Sequence, residues 1–207
     1  MSDTETPARD TAPAAKKNPY TLWFVVIAFV LPVVGAYTLY FIGFTPSGFT
    51  NKGELIQPVV DVEALGLVDE NSEAVARDDS TVRKWNMVYF AGASCDQACN
   101  DALYKIRQVN KAVGKHAYRL RRLIVHLEAP DAEFVELLES EYPDARRLYA
   151  DRDAVMTALQ PVQPQLEQNE VYLMDPIGNI MMRFTADMPG KWLIHDLHKL
   201  FKVSQIG

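Results

Sequence analysis

Two cysteines, Cys95 and Cys99, are the only ones in the 207 residues, and they are the residues whose type and spacing point most directly to chemistry. A spacing of four at a helix start places both sulfurs on one face, with Cβ atoms about 5–6 Å apart. A disulfide needs them nearer 4 Å, so bridging implies a small distortion of the first turn. A helix N-terminus also stabilises a thiolate and makes it more reactive. Two adjacent thiolates are in addition good ligands for Cu(I). An inert structural disulfide or two unpaired thiols are the alternatives. A four-residue loop gains little from chain entropy, which favours chemistry over stapling. On this reading Cys95 is the exposed, attacking sulfur and Cys99 the resolving one.

The elements that position the pair alternate in type. Lys84 to Phe90 reads as a strand. Asp96 to Val113 has helical spacing, with Ala98, Leu103, Ile106, Val109 and Val113 on one side. Arg119 to Leu127 reads as a strand, Asp131 to Ser140 as a helix, Leu148–Tyr149 as a short strand, and Asp151 to Leu159 as a capped helix. Val171 to Met174 and Ile180 to Phe184 flank Asp-Pro-Ile-Gly-Asn, a hairpin sequence, and Lys191 to Phe201 closes the chain as a helix. Strand, helix, strand, helix, hairpin and final helix is the order of an α/β thioredoxin-like fold.

Asn18 to Asn51 contains no charged residue, and Tyr20 to Phe44 is continuously apolar apart from Thr, Gly and Pro32. That length suffices to cross a bilayer as a helix, with Tyr20 and Trp23 at one interface and Tyr40, Phe41 and Phe44 at the other. Arg9, Lys16 and Lys17 precede the span and only Lys52 follows closely, which orients the N-terminus to the cytoplasm. The organisation is therefore a disordered cytoplasmic tail at 1–17, a transmembrane anchor at 18–44, a connector at 45–58 and an extracytoplasmic domain at 59–207. The tail holds three acids and three bases, so the formal net charge of −6 falls on the domain. An acidic domain argues against nucleic acid as a partner. Arg119, Arg121 and Arg122 form the one basic knot, expected on a solvated strand edge.

The segment YFAGASCDQAC, Tyr89 to Cys99, resembles the copper-site segment of the Sco/SenC family of cytochrome oxidase assembly proteins. IVHLEAPD (Ile124 to Asp131) and VYLMDPIGNIMMRF (Val171 to Phe184) look like later parts of the same fold. The resemblance covers about residues 54–202. It implies a single-pass protein of the bacterial inner membrane with its domain in the periplasm or the equivalent extracytoplasmic space. It implies a role in haem–copper oxidase assembly, with an oxidase subunit or its assembly factors as partner and copper as cofactor. Cys95 and Cys99 would be both the thiol–disulfide pair and metal ligands. Family members typically have Pro after each cysteine, where this chain has Asp96 and Asn100. Their third ligand is a His at a position that falls here on Glu167, a hard oxygen donor ill suited to Cu(I). His126, near the end of a parallel strand, is the candidate replacement ligand or proton acceptor. A non-catalytic, membrane-tethered scaffold that has lost metal binding is the alternative function. His195 and His198 share a helix face but show no third ligand, and His116 reads as a solvated loop residue.

Overall fold

The computed structural model describes residues 19–43, 50–77 and 83–206. The tail at 1–17, both ends of the anchor and residues 45–49 of the connector lie outside the described residues. Two compact units divide the chain near residue 49.

The first unit is helix α1, Pro19–Phe41, whose stretch Trp23–Phe41 has a mean hydropathy of 2.2. At 1.5 Å per residue its 23 residues span about 34 Å, enough to cross a hydrocarbon layer of about 30 Å. Pro32 lies inside the helix, and the Thr38 hydroxyl donates back to the carbonyl of Val34 at 2.8 Å. The helix buries no side chain within this unit's apolar stretch, so its surface is suited to lipid.

The second unit is built on a six-stranded sheet: β1 (Glu54–Asp61), β2 (Trp85–Ala91), β3 (Leu120–His126), β4 (Arg146–Tyr149), β5 (Val171–Met174) and β6 (Asn179–Phe184). Their spatial order is β1-β6-β5-β2-β3-β4. Strands β2, β3 and β4 run parallel, while β5, β6 and β1 add antiparallel neighbours. Helices α2 (Gln97–Ala112), α3 (Ala132–Glu141), α4 (Arg152–Leu159) and α5 (Gly190–Val203) cover the faces. Because β2 is central, almost all its residues are buried, and alternation sends them into two cores. Trp85, Met87, Tyr89 and Ala91 pack with α2, α3 and α5, whereas Val88 packs with α4 and the 3-10 turn Val62–Leu65. Helix α2 buries Ala102, Leu103, Ile106 and Val109 on one stripe, each large side chain contributing about 1.5–3 kcal/mol.

The hairpin forms where its turn sequence places it. Asp175 accepts from the amides of Ile177 and Asn179, and Gly178 takes φ 90°, which favours glycine.

Two expectations change. Residues 54–58, read as connector, are the start of β1, paired with β6 from Glu54↔Arg183 onward. Pro58 and the exposed alternation of ELIQPVVD mask the strand signal, and only its place at a sheet edge lets a Pro sit there. The basic knot is no solvated edge, because β3 lies inside the sheet. Arg119 is buried and donates to the carbonyls of Phe201, Ser204 and Ile206, fastening the C-terminal segment.

The domain's entry is fastened as well. Asp196, buried on α5, accepts from the amides of Lys52 and Gly53 at 2.7 and 2.8 Å. Lys199 of the same helix donates to the Thr50 carbonyl at 2.8 Å. Gly53 sits so close to the Phe184 ring that a Cβ would lie 2.5 Å from it.

Candidate functional site

Strand β2 delivers the chain to the pair through the loop Gly92-Ala93-Ser94. The loop is held against the end of β3 by Leu127 N–H to Ala91 carbonyl and Asp131 N–H to Ala93 carbonyl, 2.9 and 2.8 Å. Cys95 and Cys99 are joined in a disulfide with Cα atoms 5.2 Å apart. Cys95 is half-buried against the core and Cys99 is buried within it at 6% exposure, so Cys95 is the more accessible of the two. The bridge needs no distorted helix turn, contrary to expectation. Asp96 is the N-cap, extended in backbone, which leaves Cys95 outside the helix and Cys99 three residues beyond the cap. The Asp96 carboxylate accepts from the Cys99 amide at 2.8 Å, and Asn100 N–H to Asp96 carbonyl, at 3.0 Å, continues the capped turn.

A cleft of about 290 Å³ opens beside the pair. Its wall includes Cys99 and Asp96, Tyr89 from β2, Glu128 after β3, and Glu167 and Asn169 from the loop before β5. The Tyr89 hydroxyl donates to Asn169 at 2.8 Å, and burial, followed by the Asp96 charge, raises its phenol above the ordinary tyrosine range. Arg152 at the start of α4 pairs with Glu128 at 2.8 Å. Sequence reasoning did not find Tyr89, Glu128, Arg152 or Asn169, because topology alone gathers them. The cap role of Asp96 was legible, since Asp before a helical pattern is an N-terminal signal.

Residues 85–204 match the family described as "Transmembrane-like, thioredoxin-like, C-terminal domain". The chain belongs to this family. The fold of this transmembrane-like, thioredoxin-like protein is also that of solved Sco structures. Arabidopsis thaliana ScoI with copper bound is 14% identical, covers 73% of this chain and 99% of its own, and aligns with a TM-score of 0.52. A SCO1/SenC family lipoprotein from Bacillus anthracis is 12% identical over 70% and 99%, with a TM-score of 0.52. BsSco, described with a disulfide switch and as a member of the Sco family of cytochrome c oxidase assembly proteins, is 11% identical over 76% and 100%, with a TM-score of 0.54. None of the curated proteins matches the sequence. The expected thioredoxin-like fold of divergent Sco type is met.

Within that fold the transmembrane-like, thioredoxin-like chain departs from a copper centre in its donor set. The two sulfurs are bonded to each other, and among the described residues no three His, Cys, Asp or Glu side chains gather into a metal-binding group. Glu167 lines the same cleft as Cys99, yet in this state the residues do not fit copper. His126 ends β3, in register with Ala91, and is buried at 1% exposure. Its ring stacks on Tyr149 and meets Phe134 edge-on, centroids 5.4 Å away in both cases. Neither ring nitrogen has a hydrogen-bond partner among the described residues. Burial, with the Arg147 charge second, lowers its pKa to about 4. His126 is thus a neutral core ring here, not gathered with the cysteines. His195 Nδ1 lies 2.9 Å from Asp196, and His116 packs half-buried at 5.3 Å from Phe201 rather than standing in a solvated loop.

The glutamate just before β5 is a further buried polar centre. Glu170 accepts from Gln163 at 2.8 Å and lies 2.7 Å from the Tyr172 hydroxyl, with Arg183 at 3.7 Å. This cluster fixes the loop that carries Glu167 and Asn169 to the cleft.

Proposed function

We propose that this chain is a membrane-tethered, Sco-like accessory protein for haem–copper oxidase assembly that works by thiol–disulfide exchange at Cys95–Cys99. The observation that carries the reading is the asymmetry of the bridge: a half-buried Cys95 ahead of the helix, joined to a buried Cys99 that lines the cleft. A partner thiolate that attacks Cys95 displaces Cys99 as the leaving sulfur and forms a mixed disulfide. A second thiol resolves it, so two electrons pass from partner to pair and the released thiolates take up protons. In reverse, Cys95 attacks a partner disulfide and Cys99 closes the bridge. The anchor at 18–44 would hold the domain that begins at Thr50 on the periplasmic side of the inner membrane, with an oxidase subunit or its assembly factors within reach.

The test is a trap. Cys99→Ser removes the resolving sulfur, and covalent adducts at Cys95 are expected to accumulate in membranes and to contain oxidase subunits or assembly factors. An absence of adducts, with the pair resistant to reduction by thiols, refutes the exchange reading. The scaffold reading, favoured by Glu167 at the family's His position, is separated by partner capture: a scaffold keeps its partner when both cysteines are Ser. For copper, the reduced chain is expected to hold Cu(I) weakly and no stable Cu(II), since two sulfurs lack the imidazole that Cu(II) favours. One tight Cu(II) per chain contradicts this.

A further inference from the structure

The hydrogen bond that caps α2 lies inside the loop closed by the disulfide. The disulfide joins the residue before the cap to the third residue after it, and the Asp96 carboxylate joins the cap to that same third residue, at 2.8 Å. Both restraints therefore hold Cys99 against the segment carrying Cys95, but only one of them breaks on reduction. We infer that Asp96 is the positioning residue of the exchange: its cap keeps the opened pair at closing distance. This rests on the exchange reading above.

The chemistry follows from that geometry. With the pair reduced, Cys95 attacks a partner disulfide as thiolate, forming one S–S bond and releasing one partner thiolate. Cys99 then gives up its proton and attacks the Cys95 sulfur, forming the internal bridge and expelling the second partner thiolate. The partner gains two electrons and the pair loses them. The second step is intramolecular, so its rate and equilibrium depend on how often Cys99 is found near Cys95. A first turn frayed by reduction must re-form before closure, whereas a capped turn is already in place. Helix α2 is anchored on its other side by Leu103 and Ile106 in the core, so the cap has only this one turn to hold.

Asn and Ser also cap helices, but without the charge, whereas Ala cannot cap. This separates the hydrogen bond from the electrostatics of the cleft. The full chain in detergent micelles is equilibrated with reduced and oxidised glutathione, and its dithiol, disulfide and glutathione adduct are resolved by alkylation and mass. Asp96→Ala is expected to lower the closing equilibrium constant two- to fivefold, the upper figure corresponding to about 1 kcal/mol. The glutathione adduct on Cys95 should live longer by a similar factor, a rate read within chains that remain folded. Asp96→Asn and Asp96→Ser are expected to stay within twofold of wild type. An Asp96→Ala chain that closes like wild type overturns the inference, and so does an Asp96→Asn chain as impaired as Asp96→Ala, which would assign the effect to charge. A wild-type pair that does not exchange with glutathione overturns the exchange reading and this inference together.

Discussion

His126 offers a quantitative test of the packing around the site. Its ring is buried between Tyr149 and Phe134 with no hydrogen-bond partner among the described residues, and its pKa is lowered from 6.5 to about 4. In the unfolded chain the same imidazole titrates at its ordinary value near 6.5. Between those values the unfolded state binds a proton that the folded state refuses, so stability must fall as pH drops. The contribution is complete above about 6.5 and is lost progressively down to about 4. At 1.36 kcal/mol per unit the full loss is about 3 kcal/mol, a large part of the margin of a domain this size. The assay is urea unfolding of the full chain in micelles at a series of pH values, followed by Trp fluorescence, since Trp85 is buried in the core. His126→Phe keeps an aromatic ring and cannot protonate, so the difference between the two curves isolates the imidazole. Wild type should lose about 3 kcal/mol more than the variant from pH 7 to pH 4. Parallel curves, or a His126 pKa near 6.5 by NMR, would refute the reasoning.

Other outcomes follow from the same geometry. In the reduced chain Cys95 should be alkylated faster than Cys99, because Cys99 is the more buried of the two; equal rates by mass spectrometry would remove the attacking–resolving distinction. Gly53→Ala should destabilise by about 1–3 kcal/mol, since its Cβ meets the buried Phe184 ring; an unchanged urea midpoint contradicts this close approach. A reporter fused after Gly207 should work only in a form active outside the cytoplasm, given the bases at Arg9, Lys16 and Lys17; cytoplasmic activity would reverse the proposed orientation.

What was legible in the sequence was what local chemistry decides. Asp96, Asp131 and Asp151 each announce a helix start, and all three are N-caps whose carboxylates accept a backbone amide. The Asp-Pro-Ile-Gly-Asn turn gives the β5–β6 hairpin for the same reason. Strand β1 was hidden because its partner β6 lies more than a hundred residues away and Pro58 interrupts its pattern. Arg119 looked like a surface charge, and only the return of the C-terminal segment supplies the carbonyls that bury it. At the site, the cysteine pair was visible as a motif. The cleft was not, because Tyr89 comes from a strand and Glu128 and Glu167 from two separate connections of the sheet.

The fastening of Thr50, Lys52 and Gly53 to α5 has a mechanical consequence. A pull on the chain ahead of the domain reaches Asp196 and Lys199 before it reaches the first hydrogen bonds of β1. Without those two side chains, tension at Thr50 would peel β1 from β6 one residue at a time, beginning at Glu54. With them, the load is shared into the closing helix, whose Leu193, Leu197 and Phe201 are packed in the same core as Cys99. The first residues of the domain, its closing helix and the core that holds Cys99 therefore respond to load as one piece.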